Sequence, residues 1–289
     1  MYRTARVCSD ATFRDKRPRA GDKMCSKPLT REHSPAPHAS TGLLLVGHGT
    51  RDRVGYEEFF RLSDLVARQS DVPLQPCFLE LAEPNIAESV DEMAHAGVEL
   101  LLVVPLMLFA AAHVQRDIPE AVEAAARGRM KVLMAPPLAC HEKLLELSAL
   151  RFQAALEAKQ LAASDTIAVL VGRGSRDSEA TLEMERFSQQ RHKISPARET
   201  VHGFIAMASP PIEQVLDEIA ARTDTSVVVQ PHLLFHGELL SQINDLVAKF
   251  QRSDTSRHWI VANQLGPHPL LAAAVGDRID QLLSYGSSP

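Results

Sequence analysis

From residue 41 onward, short unbroken apolar runs alternate with stretches whose apolar residues recur at helical spacing. Leu43–Val46 and Leu100–Leu108 are continuous apolar runs, the pattern of strands buried on both faces. Between them, Phe59, Leu62 and Val66 share one helix face, and Ile86, Val90, Met93 and Ala94 share another. Asp117-Ile-Pro-Glu120 has the spacing of a capping box with proline in the first turn, which predicts a helix starting there and running towards Ala126. A further strand near Lys131–Ala135 and a helix from about His141 complete the unit. The order is βαβαβαβα, an α/β fold with a parallel sheet of about four strands and helices on both faces. Ligands of such sheets bind where strands hand over to loops at their carboxyl ends.

The unit occurs twice, with a period of about 125 residues. Leu45-Val-Gly-His-Gly-Thr-Arg-Asp52 matches Leu170-Val-Gly-Arg-Gly-Ser-Arg-Asp177. Phe78, Pro84, Ile86, Asp91 and Glu92 recur as Phe204, Pro210, Ile212, Asp217 and Glu218. Val103, Pro105, Leu108 and Phe109 recur as Val229, Pro231, Leu234 and Phe235, and His141 as His268. Two tandem repeats are therefore expected: an α/β domain at 41–162 and a second, degenerate repeat at 163–289, after a separate segment at 1–40.

Three side chains of the first repeat are placed for chemistry. His48 follows the first strand between two glycines, Glu80 lies at the carboxyl end of the second strand, and His113 lies just past the third. Three strand ends thus deliver His, Glu and His to one rim. Two neutral imidazoles and a carboxylate suit a divalent first-row metal such as Fe²⁺, Co²⁺, Ni²⁺ or Zn²⁺, with coordination positions left for a substrate. The second repeat acts as an internal control, because at the matching positions it has Arg173, Ala206 and Leu239. Side chains needed for folding should recur, so their replacement points to a function confined to one half. Glu83 reads as a first-turn carboxylate favoured by the helix dipole. His141 and His268, at a helix start in both halves, read as structural. His232 and His236 belong to the second half alone. They either line the far wall of a shared cleft or sit in an exposed loop and helix start.

Composition changes the picture in two places. Residues 1–40 carry nine Lys/Arg against four Asp/Glu, a net of +5, so the formal −5 of the whole chain leaves −10 on residues 41–289. That basic segment has no apolar core and no periodicity and reads as disordered; its interspersed acids argue against an organelle-targeting role, and Met24 offers a later start. The acidic body argues against nucleic-acid binding. No apolar run is long enough to cross a bilayer, and nothing signals secretion, so a cytoplasmic protein without a membrane partner is expected. Cys8, Cys25, Cys77 and Cys140 are scattered without a C-x-x-C, which disfavours an iron–sulfur cluster or disulfide framework. Without a G-x-x-x-x-G-K-[ST] loop, no nucleotide is expected.

Val46-Gly-His48-Gly-Thr-Arg51, Phe78-Leu-Glu80-Leu-Ala-Glu-Pro84 and Val104-Pro-Leu-Met-Leu-Phe-Ala-Ala-Ala-His113-Val-Gln-Arg-Asp117-Ile-Pro119 together resemble the class II chelatases that insert a metal into sirohydrochlorin. These are the cobalt chelatases of early corrin synthesis and the ferrochelatases of sirohaem synthesis. The resemblance spans residues 42–285 and matches the family's long form, with both α/β units in one chain and the second degenerate. It implies metal-binding and catalytic roles for His48 and His113, with Glu80 assisting. It also implies Co²⁺ or Fe²⁺, with Ni²⁺ a further candidate, as the metal substrate and the tetrapyrrole sirohydrochlorin as partner. Because the substrate bears several carboxylates, Arg51, Arg53, Arg116, Arg173 and Arg176 are candidates to pair with them; solvated surface charge is the alternative for each. A monomer suffices for two fused units. The rival readings are a noncatalytic carrier of metal or tetrapyrrole and a histidine phosphoesterase. The latter lacks its R-H-G motif here, since Gly47 precedes His48.

Overall fold

A computed structural model describes residues 41–109, 116–222 and 225–286. The basic segment 1–40 and His113 lie outside the described residues.

The first copy runs β1 (Thr41–Gly47), α1 (Arg53–Ala67), β2 (Leu74–Phe78), α2 (Ile86–His95), β3 (Leu100–Pro105), α3 (Ile118–Ala126), β4 (Lys131–Met134) and α4 (Glu142–Glu157). The second runs β5 (Thr166–Gly172), α5 (Ser178–Ile194), β6 (Glu199–Phe204), α6 (Ile212–Arg222), β7 (Ser226–Pro231), α7 (Glu238–Ser253), β8 (Trp259–Val261) and α8 (Pro269–Gly286). Each copy forms a four-stranded parallel sheet, ordered β2-β1-β3-β4 and β6-β5-β7-β8. The chain changes direction across each sheet between its first and third strands, so the crevice at the carboxyl ends of β1 and β3, or of β5 and β7, is the place where a ligand fits.

Strand pleating explains the unbroken apolar runs. Leu43 and Leu45 of β1 pack on α1 on one face, while Leu44 and Val46 pack on α2 and α3 on the other. The fourth helix of each copy does not stay with its own sheet. Leu271, Ala274, Val275 and Ile279 of α8 join Leu43, Leu45, Leu102 and Val104 in the first sheet's core. Reciprocally, Phe152, Ala155 and Leu156 of α4 pack with Ala168 and Val228 beneath the second sheet. The two copies therefore exchange their terminal helices, although the repeat in the sequence divides near residue 162.

Local details depart from the sequence reading at three points. β3 ends at Pro105 although the apolar run continues, because its neighbour β1 ends at Gly47; the Leu106 amide still donates to the Val46 carbonyl and Leu106 is buried, while Met107 to Phe109 are half-buried against the cores. The capping box at Asp117 does not form. Asp117 has helical dihedrals, from which its side chain does not cap α3; a cap needs an extended backbone. Glu83 precedes the first turn of α2, where Asn85 and Glu88 make the reciprocal cap instead, and Glu83 accepts a bond from the Asn85 side-chain Nδ2 at 3.1 Å.

The exchange gives a direct test. Leu271 is fully buried, so Leu271→Ala should cost about 2–5 kcal/mol. Hydrogen exchange should then lose protection in β1 and β3, although Leu271 belongs to the second repeat by sequence; loss confined to β5 to β8 would contradict the packing.

Candidate metal and substrate rim

The loops after β1 and β2 are zipped together beyond the sheet. The Leu79 and Glu80 amides donate to the Gly47 and His48 carbonyls at 2.9 and 3.1 Å. Gly49 has φ +104°, and a Cβ there would lie 1.6 Å from the Glu80 carbonyl oxygen, so only glycine permits this approach. The second copy repeats the arrangement. The Ile205 and Ala206 amides donate to the Gly172 and Arg173 carbonyls, each at 3.0 Å, and Gly174 has φ +88° with the Ala206 carbonyl oxygen 1.8 Å from its would-be Cβ. His48 and Arg173, and Glu80 and Ala206, thus occupy equivalent backbone positions with different side chains.

At the first rim, His48 Nε2 lies 3.6 Å from Glu80 Oε1, with the two side chains 25% and 49% exposed. Arg173 reaches across from the second copy and places Nη1 3.4 Å from the same imidazole nitrogen. Among the described residues no cluster of three His, Cys, Asp or Glu side chains is assembled for a metal; His48 and Glu80 form a pair, and the third candidate, His113, is not described. Cys77 is buried and its thiol is pushed up to about 12 by that burial, which removes it as a thiolate donor at neutral pH.

The arginines divide. Arg53 opens α1 instead of lying in the loop; it is 90% exposed and bonded to Glu57 at 2.8 Å. Arg116 pairs with the adjacent Asp117 at 3.2 Å. Arg51 and Arg176 are exposed on the loops after β1 and β5. Of the five, Arg173 is the one in contact with His48.

The second copy also braces the first rim, through contacts that no sequence motif marks. Asp52 caps α1 by accepting from the Gly55 amide at 2.8 Å, and the same oxygen meets His236 Nδ1 at 2.9 Å. The Gly55 amide and then His236 hold the Asp52 carboxyl below the usual aspartate range. The His236 amide donates to the buried Glu58 at 2.7 Å, and Gln264 donates to the other Glu58 oxygen at 3.1 Å. His236 is therefore at the junction of the copies, next to the loop that carries His48. His232 is neither in an exposed loop nor on a cleft wall: it is 2% exposed and packed between Phe109 and Phe187. His141 and His268 accept from the Lys143 and Leu270 amides at the starts of α4 and α8, the structural role expected of them. A cavity of about 630 Å³ lies elsewhere, between α5, β6 and α6, and includes neither His48 nor Glu80.

Fold and rim together define a duplicated, parallel α/β protein of chelatase type, whose polar side chains meet on the loops after the first two strands of its first sheet. A solved structure of the sirohydrochlorin chelatase SirB from Bacillus subtilis subspecies spizizenii in complex with cobalt shares this architecture, with a TM-score of 0.72 at 25% identity over 86% of this chain and 98% of that one. Relatives from Priestia megaterium include a sirohydrochlorin ferrochelatase, 31% identical over 84% of this chain and 90% of its own length, and a sirohydrochlorin cobaltochelatase, 25% identical over 84% and 80%. The CbiX family model matches residues 42–155 and again 168–282, and the chain belongs to the CbiX family.

His232 yields a prediction with a definite sign. Its ring nitrogens have no hydrogen-bond partner among the described residues, and burial pushes its pKa down to about 3. A histidine with a lowered folded pKa favours folding while neutral, so this stability is present above about pH 6.5 and is lost as pH falls towards 3. Leu106 occupies the same place in the first copy: its amide bonds Val46 as that of His232 bonds Val171, both at 2.8 Å. His232→Leu should flatten the acid limb of the stability curve between pH 6.5 and 4 in thermal unfolding scans. An unchanged acid limb would show that another group sets it.

Proposed function

We propose that the chain inserts a divalent metal ion into sirohydrochlorin, with Co²⁺ or Fe²⁺ as the metal substrate and Ni²⁺ as a further candidate. The observation that carries this reading is the His48–Glu80 pair on the first rim, set against Arg173 and Ala206 on the same backbone in the second. The names of the relatives support it, since they include both a cobaltochelatase and a ferrochelatase.

In this reading His48, Glu80 and His113 hold the ion, using neutral imidazole nitrogens and a carboxylate and leaving positions open towards the ring. Metallation displaces two pyrrole protons for each ion inserted. As the ion passes to the ring, one of the two histidines, its lone pair released, accepts one of these protons and the other passes to solvent; a group whose ordinary pKa lies near neutrality is suited to this. Arg51, Arg53, Arg116, Arg173 and Arg176 supply positive charge for the substrate's carboxylates on an otherwise acidic body. The reaction calls for no nucleotide and no iron–sulfur cluster, and one chain carries both halves of the cleft. Among the described residues no helix is long and apolar enough to cross a membrane, and the reading places the enzyme in the cytoplasm, apart from membranes and nucleic acid.

Purified protein mixed anaerobically with sirohydrochlorin and Co²⁺ or Fe²⁺ should accelerate the spectral change of metallation over many turnovers. His48→Ala and His113→Ala should each slow it by about 100-fold or more with unchanged circular dichroism. Full activity in either variant would remove that residue from the site, and binding without turnover would make the protein a carrier.

A further inference from the structure

The contact between Arg173 and His48 restricts what His48 can be doing before a metal arrives. A guanidinium has donors only. For Arg173 Nη1 to bond His48 Nε2 at 3.4 Å, that nitrogen must present its lone pair, which puts the imidazole proton on Nδ1. The Glu80 distance agrees: at 3.6 Å, Oε1 is too far to be accepting a hydrogen bond from Nε2. The lone pair aimed at Arg173 is the one a divalent ion would use. An ion on it would sit about 2.0–2.1 Å from the nitrogen, in the space through which the guanidinium N–H now points. One in-plane lone pair holds one occupant.

We propose that Arg173 is a displaceable occupant of the metal's place on His48, released on metal loading to bind a carboxylate of the incoming tetrapyrrole. This deepens the chelatase reading and rests on it. The second copy has no histidine here but shares the loop, which brings position 173 to the first rim. Gly174 holds the turn, and the Arg173 carbonyl is fixed by the Ala206 amide. Two consequences follow from the competition. The ion binds His48 less tightly than an open imidazole would hold it, which favours release to the ring nitrogens. The guanidinium becomes free for bidentate pairing with a carboxylate once the ion is in place, which couples metal loading to substrate capture.

The test is a Co²⁺ titration followed by the visible absorption of the bound ion, with unsubstituted protein and Arg173→Ala. Arg173 is exposed, so the variant should fold, as circular dichroism checks. Arg173→Ala should bind Co²⁺ about tenfold tighter. The gain should persist in 1 M salt, where the Debye length is about 3 Å and distant charge effects are screened. In single turnover, the loaded variant should transfer Co²⁺ to sirohydrochlorin about tenfold more slowly, with a raised KM for the tetrapyrrole. Equal or weaker Co²⁺ binding by Arg173→Ala, or a gain that disappears in 1 M salt, would overturn the proposal. The unsubstituted protein, assayed alongside for insertion, tests the chelatase reading separately, because the metal titration does not depend on turnover.

Discussion

A parallel sheet whose strands are apolar on both sides must be covered on both sides, and here each copy relies on the other for part of that cover. α8 packs beneath the first sheet and α4 beneath the second, and Leu43 and Leu45 of β1 share one core with Leu170 of β5, so the strands that lead into His48 and Arg173 are packed together. This fixes the relation between the two rims. A guanidinium from one repeat can stand 3.4 Å from an imidazole 125 residues away because neither rim is free to move independently of the other's helix. The brace from His236 to Asp52 and Glu58 adds a polar tie at the mouth of the same junction.

Duplication then allows division of labour. The glycine turn, the paired loop carbonyls and the burial of the first and third strands recur in both copies and belong to the fold. In the proposed function, the side chains that differ on this common frame belong to the chemistry: imidazole and carboxylate in the first copy, guanidinium and methyl in the second. On that reading one copy supplies donors for a cation while the other supplies a cation of its own, and a protein that takes up an ion and then surrenders it to four ring nitrogens has use for both.

Much of the fold was legible in the sequence because its determinants are local. The unbroken runs at Leu43–Val46 and, as far as Pro105, at Leu100–Leu108 encode buried strands, and the ordered matches at a nearly constant offset encode the repeat. Features that depend on tertiary packing were not legible. An amphipathic helix such as α8 carries no mark of which sheet it covers. The end of β3 is set by the end of its neighbour, and the role of Asp117 by its backbone dihedrals. For the site, the Gly-His-Gly turn and its Gly-Arg-Gly counterpart mark His48 and Arg173 in the sequence, and the end of the second strand marks Glu80. For His236 the sequence leaves open a cleft wall or an exposed helix start. Its contacts with Asp52 and Glu58, at 2.9 and 2.7 Å, join the copies and have no signature in the sequence.

The central claim is that a single divalent ion binds at the first rim, on His48, and not at its altered twin. Diffraction from crystals soaked in Co²⁺, recorded at the cobalt absorption edge, tests this most directly. The account predicts one anomalous peak per chain, about 2.1 Å from His48 Nε2 and on the side facing Glu80, with the Arg173 guanidinium displaced. A peak at the second rim instead, or cobalt bound without contact to His48, would contradict it.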